Sequence, residues 1–163
     1  MEYDLGFAKR LAEIALATAN KADADGLDRR AAAYMARLGM ELALKSMLEV
    51  SGMSIRAIRD MSHDLCTLMA AIDRCEVRAA EGFLWQSASR LRGLMITAYG
   101  GETTVGQVIE AERYGASRYP VELRYGALPK DFPPDVIAHA TLLVVEEATS
   151  WGPNIRPKQV RMD

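Results

Sequence analysis

Apolar residues recur three and four positions apart along most of the chain, and strict alternation of apolar and polar residues is scarce. This spacing is typical of amphipathic helices, whose side chains return to the same face every 3.6 residues. The pattern predicts helices over about residues 4–22, 28–50, 62–72, 81–99 and 133–150. Ser62 is the expected N-cap of the third helix. The second helix is expected to bury Ala31, Met35, Leu38 and Leu42.

Residues 101–132 interrupt the helical pattern, because they are rich in glycine and proline. A short helix near residues 105–112 is the only regular element that we expect there. Residues 153–163 are expected to form a flexible tail. The sequence therefore predicts one all-α domain over residues 1–152, an up-and-down bundle of four to five helices with a loop-rich insertion before the last helix.

The composition narrows the functional classes. Half of the residues are hydrophobic and 26% are charged, which indicates a soluble globular protein. A net charge of -2 excludes a general electrostatic attraction to nucleic acid or to an anionic membrane, although a local patch can still bind either. Neither a signal peptide nor a long apolar span is evident, so we expect a cytoplasmic protein without membrane contact.

Metal and cofactor signatures are missing from the sequence. The two cysteines and two histidines complete no zinc-ligand pattern, and there is no phosphate-binding glycine loop or dinucleotide fingerprint. We therefore expect neither a metal ion nor a cofactor.

Lys45 falls on or beside the predicted buried face of the second helix. A lysine in that position needs a partner or must extend to solvent, because an unpaired buried charge is costly. Glu41, one turn earlier, and Asp64, near the start of the next helix, are the two candidate partners. The pairing can be a purely structural ion pair between helices, or it can belong to a polar site that includes His63.

The stretch from Glu41 to Met69 resembles the HEPN domain (higher eukaryotes and prokaryotes nucleotide-binding). The resemblance lies in a Glu-Leu-Ala-Leu-Lys run, a short link with a glycine, and a His-Asp-Leu run. The residues that carry it are Glu41, Leu42, Ala43, Leu44, Lys45, Leu48, Gly52, His63, Asp64, Leu65, Leu68 and Met69. A second similarity is the stretch ERYGASRYP, residues 112–120.

This resemblance implies a compact helical bundle, usually a homodimer, that often acts beside a minimal nucleotidyltransferase in toxin–antitoxin pairs. Catalytic members cut RNA without a metal, using an arginine and a histidine separated by four to six residues. Here three residues separate Arg59 from His63, and six separate Arg56 from His63, but Ala57 rather than a polar residue follows Arg56. The pair also lies early in the chain, so the spacing and position do not favour a nuclease.

Three Arg-Tyr dipeptides follow in the loop-rich region, beginning at Arg113, Arg118 and Arg124. An arginine guanidinium can form two parallel hydrogen bonds with a phosphate, and a tyrosine ring can stack on a base. This combination therefore suits a nucleotide or single-stranded RNA. The candidate ligand residues are Arg113, Arg118, Tyr119 and Arg124, together with Lys45 and Asp64. The alternative is that the tyrosines pack on the bundle, while nearby glutamates cancel the charge.

Three hypotheses remain open at this point. The chain binds a nucleotide or RNA, or serves a nucleotidyltransferase partner, without strong catalysis of its own. Alternatively it is a metal-independent RNase that uses His63 with Arg59 or Arg56. The third possibility is a structural module for dimerisation or protein interaction.

Overall fold

The computed structural model describes residues 1–78, 82, 84–97, 102–114, 120, 124–125 and 131–158, with the side chains of 112–114 excepted. The elements in chain order are α1 (Leu5–Ala19), α2 (Gly26–Val50), α3 (Ile55–Asp60), α4 (Leu65–Ile72), β1 (Cys75–Val77), β2 (Gln86–Ser87), a 3-10 helix (Ala88–Gly93), α5 (Val105–Tyr114), α6 (Pro134–Trp151) and β3 (Ile155–Pro157). The structure is mostly helical with a small antiparallel sheet, so the all-α prediction is confirmed only in its coarse form.

Helices α1, α2 and α6 pack against one another and form the centre of the bundle. Side chains cap the first two: the Asp4 carboxylate accepts a hydrogen bond from the backbone of Phe7 at 3.0 Å, and Asp25 accepts one from Asp28 at 2.8 Å. Asp25 is therefore the N-cap of α2, and the helix begins two residues before the predicted start at residue 28. Gly39 lies where α1 crosses α2, and a Cβ added there would come within 2.9 Å of the Ala8 carbonyl oxygen. The close approach of the two backbones thus requires glycine at this position.

The buried surface of α2 differs from the predicted stripe. Ala31 is exposed, and Met35, Leu38 and Leu42 are only partly buried. The helix is instead buried over most of its circumference in its C-terminal half, since α1, α4 and α6 all pack against α2. A helix with neighbours on several sides buries more than one stripe, which a single apolar periodicity does not reveal.

The link between α2 and α4 contains a short helix that the sequence did not predict. Ser54 caps α3, and its hydroxyl accepts from the backbone of Ala57 at 3.3 Å. The predicted N-cap at Ser62 is wrong, because Ser62 has a φ of 53° in the left-handed region and Asp64 caps α4 instead. The left-handed residue turns the chain between α3 and α4, immediately before His63.

The single helix predicted over 81–99 is wrong, because its described residues include a strand at Gln86–Ser87 and a 3-10 helix only at Ala88–Gly93. β1 is the central strand of a sheet in the order β2-β1-β3, and β2 contributes Gln86 and Ser87 to it. The following 3-10 helix buries Ala88 and Leu91, which are three positions apart and therefore lie on one face of a helix with three residues per turn. The apolar spacing was thus real, but residues 86 and 87 pair with β1 instead of continuing a helix.

The first residues of the predicted flexible tail, just after α6, form a strand instead. Ile155–Pro157 forms β3, which pairs with β1, and the Ile155 side chain is buried. The guanidinium carbon of Arg156 lies 3.8 Å from the centroid of the Trp85 ring, which fastens this strand to the segment before β2. Residues 159–163 of the predicted tail lie outside the described residues.

Two other sequence predictions are confirmed. α6 begins after Pro133 with Pro134 in its first turn, as expected for a residue that lacks an amide hydrogen. α5 lies at the position predicted for the short helix in the loop-rich region. Within the described part of the chain, no helix has the length and apolarity that a bilayer span needs.

Candidate functional site

The lysine that the sequence places on the buried face of α2 is paired within the same helix. Lys45 Nζ lies 2.7 Å from Glu41 Oε1, and the two side chains are only 8% and 4% exposed. This is the acid-before-base order at i and i+4 that favours pairing on a helix. Glu41, the first of the two candidate partners, is therefore the partner of Lys45.

His63 adds a third member to this pair. Its Nδ1 lies 3.0 Å from both carboxylate oxygens of Glu41, while half of its side chain remains exposed. A carboxylate accepts, so Nδ1 is the donor, and the contact fixes the orientation of the imidazole ring. The Glu41 carboxylate thus joins a buried lysine to an exposed histidine and fastens the turn before α4 to α2.

Asp64 has a different role from the predicted ion pair. Its carboxylate accepts from the backbone amide of Thr67 at 3.1 Å and from the Thr67 hydroxyl at 2.7 Å. These contacts satisfy the first turn of α4 and place a negative charge at the helix N-terminus, where it is favourable. Asp64 therefore fixes where α4 begins.

The N-terminal segment covers the other side of Lys45. Lys45 Nζ lies 5.5 Å from the centroid of the Tyr3 ring, close enough for a cation–π contact. Arg59 Nη2 lies 2.8 Å from Glu2, and this hydrogen-bonded ion pair raises the pKa of the Arg59 guanidinium above its ordinary value. The arginine predicted to act with His63 is thus engaged at the surface by Glu2.

Within the part of the chain that the structure describes, no hydrogen bond joins His63 to Arg56 or Arg59, and the side chain of Arg56 is exposed. The structure therefore brings together His63, Glu41 and Lys45 but not the predicted arginine.

Polar residues continue along α2 toward its N-terminus. Arg37 is buried, and its Nη1 donates to the carbonyl oxygen of Val108 in α5 at 2.9 Å. Arg30, Tyr34, Arg37, Glu41 and Lys45 are three or four positions apart and share one face of the helix. We call this set the α2 stripe.

The N-terminal end of the α2 stripe opens into a cleft. Arg124 donates from Nε and Nη2 to the hydroxyl of Tyr34 at 3.2 and 3.0 Å, and its guanidinium carbon lies 5.7 Å from the Tyr34 ring centroid. Beside this contact is a cavity of about 390 Å³, which we call the α2 cleft, lined by Leu27, Arg30, Ala31, Tyr34 and Arg124. The next residue, Tyr125, is 85% exposed.

Three other predicted ligand residues fall wholly or partly outside the described part of the chain. Arg118 and Tyr119 lie outside the described residues, and Arg113 belongs to α5 with its side chain outside them. Of the predicted Arg-Tyr residues, Arg124 is the one whose contacts are described.

Sequence reasoning missed three residues of the site: Arg30, Tyr34 and Arg37. The sequence does contain a pattern that could have identified them, because they continue the three- and four-residue spacing of Glu41 and Lys45 on one helical face. The interaction between His63 and Glu41 carried no such signal, because the two residues meet through the turn between α3 and α4.

Comparison of the chain with protein-family models, with curated proteins and with solved structures gives no match. The resemblance to HEPN domains therefore stays a prediction.

Proposed function

We propose that the chain binds a phosphate-bearing ligand, a nucleotide or single-stranded RNA, in the α2 cleft. The observation that carries this proposal is the convergence of Arg30, Arg124 and the Tyr34 ring on one cavity of about 390 Å³. None of the described residues that line the cleft is acidic. It is thus a locally basic site on a chain whose net charge is -2.

The chemistry of these side chains fits such a ligand. Guanidinium groups bind phosphate oxygens through two parallel hydrogen bonds, and two guanidiniums at one cleft can engage one or two phosphates. Aromatic rings provide stacking surfaces that accept any base. Tyr125, exposed beside Arg124, supplies a further ring at the edge of the cleft.

The test is binding of a fluorescein-labelled single-stranded RNA, and separately of a labelled nucleotide, measured by anisotropy in chelator. Arg124→Ala and Arg30→Ala are each expected to weaken binding about tenfold, because each removes a charge-assisted contact. Each lost phosphate contact should also reduce the slope of log affinity against log salt by about 0.7.

Arg29→Ala is the matched control. Arg29 is the neighbour of Arg30 in the same helix, is exposed and does not line the cleft. The Arg29→Ala substitution removes the same charge as the other two, so a general electrostatic effect would weaken RNA binding equally in all three variants. Equal losses, or no loss in any variant, would contradict the proposed site.

A metal-independent RNase is a second candidate, and the contact between His63 and Glu41 is the observation that favours it. A carboxylate that holds one ring nitrogen orients the other for proton transfer, such as removal of a proton from a ribose 2′-hydroxyl. The RNase candidate is disfavoured because no arginine among the described residues hydrogen-bonds to His63.

Cleavage of the same RNA in chelator distinguishes binding from catalysis. We expect wild type and His63→Ala to bind the RNA alike and to leave it intact. Cleavage by wild type that His63→Ala abolishes would instead establish the RNase.

The broader expectations of the HEPN resemblance remain predictions: a homodimer, a nucleotidyltransferase partner and a place in a toxin–antitoxin pair. The structural alternative has support of its own at Lys45, because this buried lysine is paired with Glu41, although the pair lies within α2 and does not join two helices. We therefore assign Lys45 to stability and Arg124 to ligand binding.

A further inference from the structure

A second cavity lies on the opposite side of the bundle from the α2 cleft. Its volume is about 490 Å³, and it is enclosed by the start of the chain, α1, the C-terminal end of α2, the end of α6 and β3. Its lining is Met1, Leu5, Ser46, Met47, Val50, Ala148, Thr149, Trp151, Gly152, Pro153 and Ile155. Ser46 and Val50 are on the side of α2 that faces away from the α2 stripe, so the two cavities are separate.

The wall of this cavity is apolar and held in place. The Trp151 side chain is 1% exposed, and the guanidinium carbon of Arg90 lies 5.4 Å from its ring centroid. Arg90 is fixed in turn by Glu147, whose carboxylate oxygen lies 3.0 Å from Nη2. Apolar cavities of about 300–1,000 Å³ with a few polar groups are typical of small-molecule sites.

Two polar groups of the cavity lining have no hydrogen-bond partner among the described residues: Nε1 of Trp151, which is fully buried, and the Ser46 hydroxyl. Ser46 is 3% exposed and lines the cavity, and its hydroxyl makes no hydrogen bond to any residue that the structure describes. By contrast, the Thr149 hydroxyl donates to the carbonyl oxygen of Val145 at 2.8 Å. A hydroxyl at a cavity wall that makes no hydrogen bond within the protein can donate to an oxygen of a ligand in the cavity.

We propose that this cavity binds a small, mostly apolar molecule whose single oxygen hydrogen-bonds to the Ser46 hydroxyl. The apolar walls exclude a nucleotide or any other highly charged ligand, because no charged side chain among the described residues lines the cavity to pair with it. The site is independent of the α2 cleft, so its ligand can bind with or without RNA.

The experiment titrates the intact chain with Nile red, a neutral aromatic probe that fluoresces in apolar surroundings. We expect saturable binding of one probe per chain, which Ala148→Leu should abolish by filling the cavity. Thermal melting of Ala148→Leu checks that it folds. Leu84→Ser, which removes an exposed apolar side chain outside the cavity, should leave binding unchanged.

The hydrogen bond is tested by competition between 1-acetylnaphthalene and 1-ethylnaphthalene, which share a shape but differ in the oxygen. In wild type the ketone should displace Nile red at about fivefold lower concentration, the effect of one hydrogen bond. Ser46→Ala should make the two compounds equal, and Ser150→Ala, an exposed neighbour of the cavity, should not.

Two results would overturn the inference. If Nile red does not saturate, or binds Ala148→Leu as well as wild type, the cavity is not its site. If the two naphthalenes compete equally in wild type, Ser46 does not recognise a ligand oxygen.

Discussion

The two halves of the α2 stripe have similar side chains and opposite surroundings. In the closed half, Glu41 and Lys45 are buried, and His63 covers their edge. In the open half, Arg30 and Tyr34 line a cleft that Arg124 approaches from a distant part of the chain. The helical spacing is the same in both, so the difference comes from what packs against each half.

The difference shows which charges on this helix are paired inside the bundle and which lie at the surface of a cleft. A buried charge must be satisfied by the protein itself, because water cannot solvate it. Glu41 and Lys45 satisfy each other, which makes the closed half a structural unit. The open half keeps its guanidiniums at a cleft that a ligand can enter.

The largest effect is expected when the closed half loses one charge. Lys45→Met leaves the buried Glu41 carboxylate without its ammonium partner, which should reduce the free energy of unfolding by about 3–5 kcal/mol. Urea denaturation followed by far-ultraviolet circular dichroism measures this change.

Lys9→Met is the matched control for that variant. Lys9 also pairs with a glutamate at i+4, but at 4.0 Å and with its side chain 61% exposed. Exposed pairs contribute at most about 1 kcal/mol, so Lys9→Met should change stability little. Similar losses in the two variants would show that burial does not distinguish the closed half.

A smaller effect is expected in the open half. Tyr34→Phe keeps the ring but removes the hydroxyl that receives two hydrogen bonds from Arg124. We expect RNA affinity to fall about fivefold because the guanidinium is no longer held over the cleft. Unchanged affinity would mean that Arg124 does not need the hydroxyl for its position. Tyr125→Phe is the control, because it removes a hydroxyl from a ring that is 85% exposed.

The smallest effect concerns the reactivity of the two cysteines, Cys66 in α4 and Cys75 in β1. Cys66 is partly buried, whereas Cys75 is 2% exposed, and burial raises the pKa of the Cys75 thiol above its ordinary value. Labelling with N-ethylmaleimide, followed by mass spectrometry, should therefore modify Cys66 before Cys75. Lys45→Met should accelerate labelling at Cys66 more than at Cys75, because Cys66 lies in the first turn of α4 and His63, just before that helix, is bound to Glu41.

The Cys75 thiol also makes stability depend on pH. Since the folded chain holds this proton more tightly than the unfolded chain, the full stability is present below the ordinary thiol pKa and falls as the pH rises above it. Cys75→Ala should flatten this decline in denaturation measured between about pH 7 and about pH 10. An identical decline in wild type and variant would assign the pH dependence to other groups.

The sequence predicted the parts of the fold that local forces decide. The helices that became α1, α2 and α6 were predicted from apolar spacing and end signals. Glu41, one helical turn from Lys45, was one of the two partners that the sequence proposed for that lysine. The segment that forms β2 was predicted as helix, because its strand pairing depends on β1 and no local pattern records it. Ser62 was mistaken for a cap because its hydroxyl suits that role and its left-handed backbone leaves no trace in the sequence.

The candidate site divides in the same way. His63 and Arg124 were both selected from the sequence, but the partners that give them their roles are far along the chain. Tyr34 is 90 positions from Arg124, and Glu41 is 22 from His63. Only the tertiary structure shows that one of these residues closes a buried cluster and the other borders a cleft.

The sheet has a consequence for the order in which the chain folds. Glu76 in β1 and Arg156 in β3 are partners although 80 positions separate them. The hairpin of α1 and α2 can form from local contacts early in synthesis, whereas β1 cannot pair with β3 until residues 155–157 have been synthesised. During that interval β1 has no β3 beside it, so its open edge is the point at which a nascent chain is most exposed to wrong pairing with another strand.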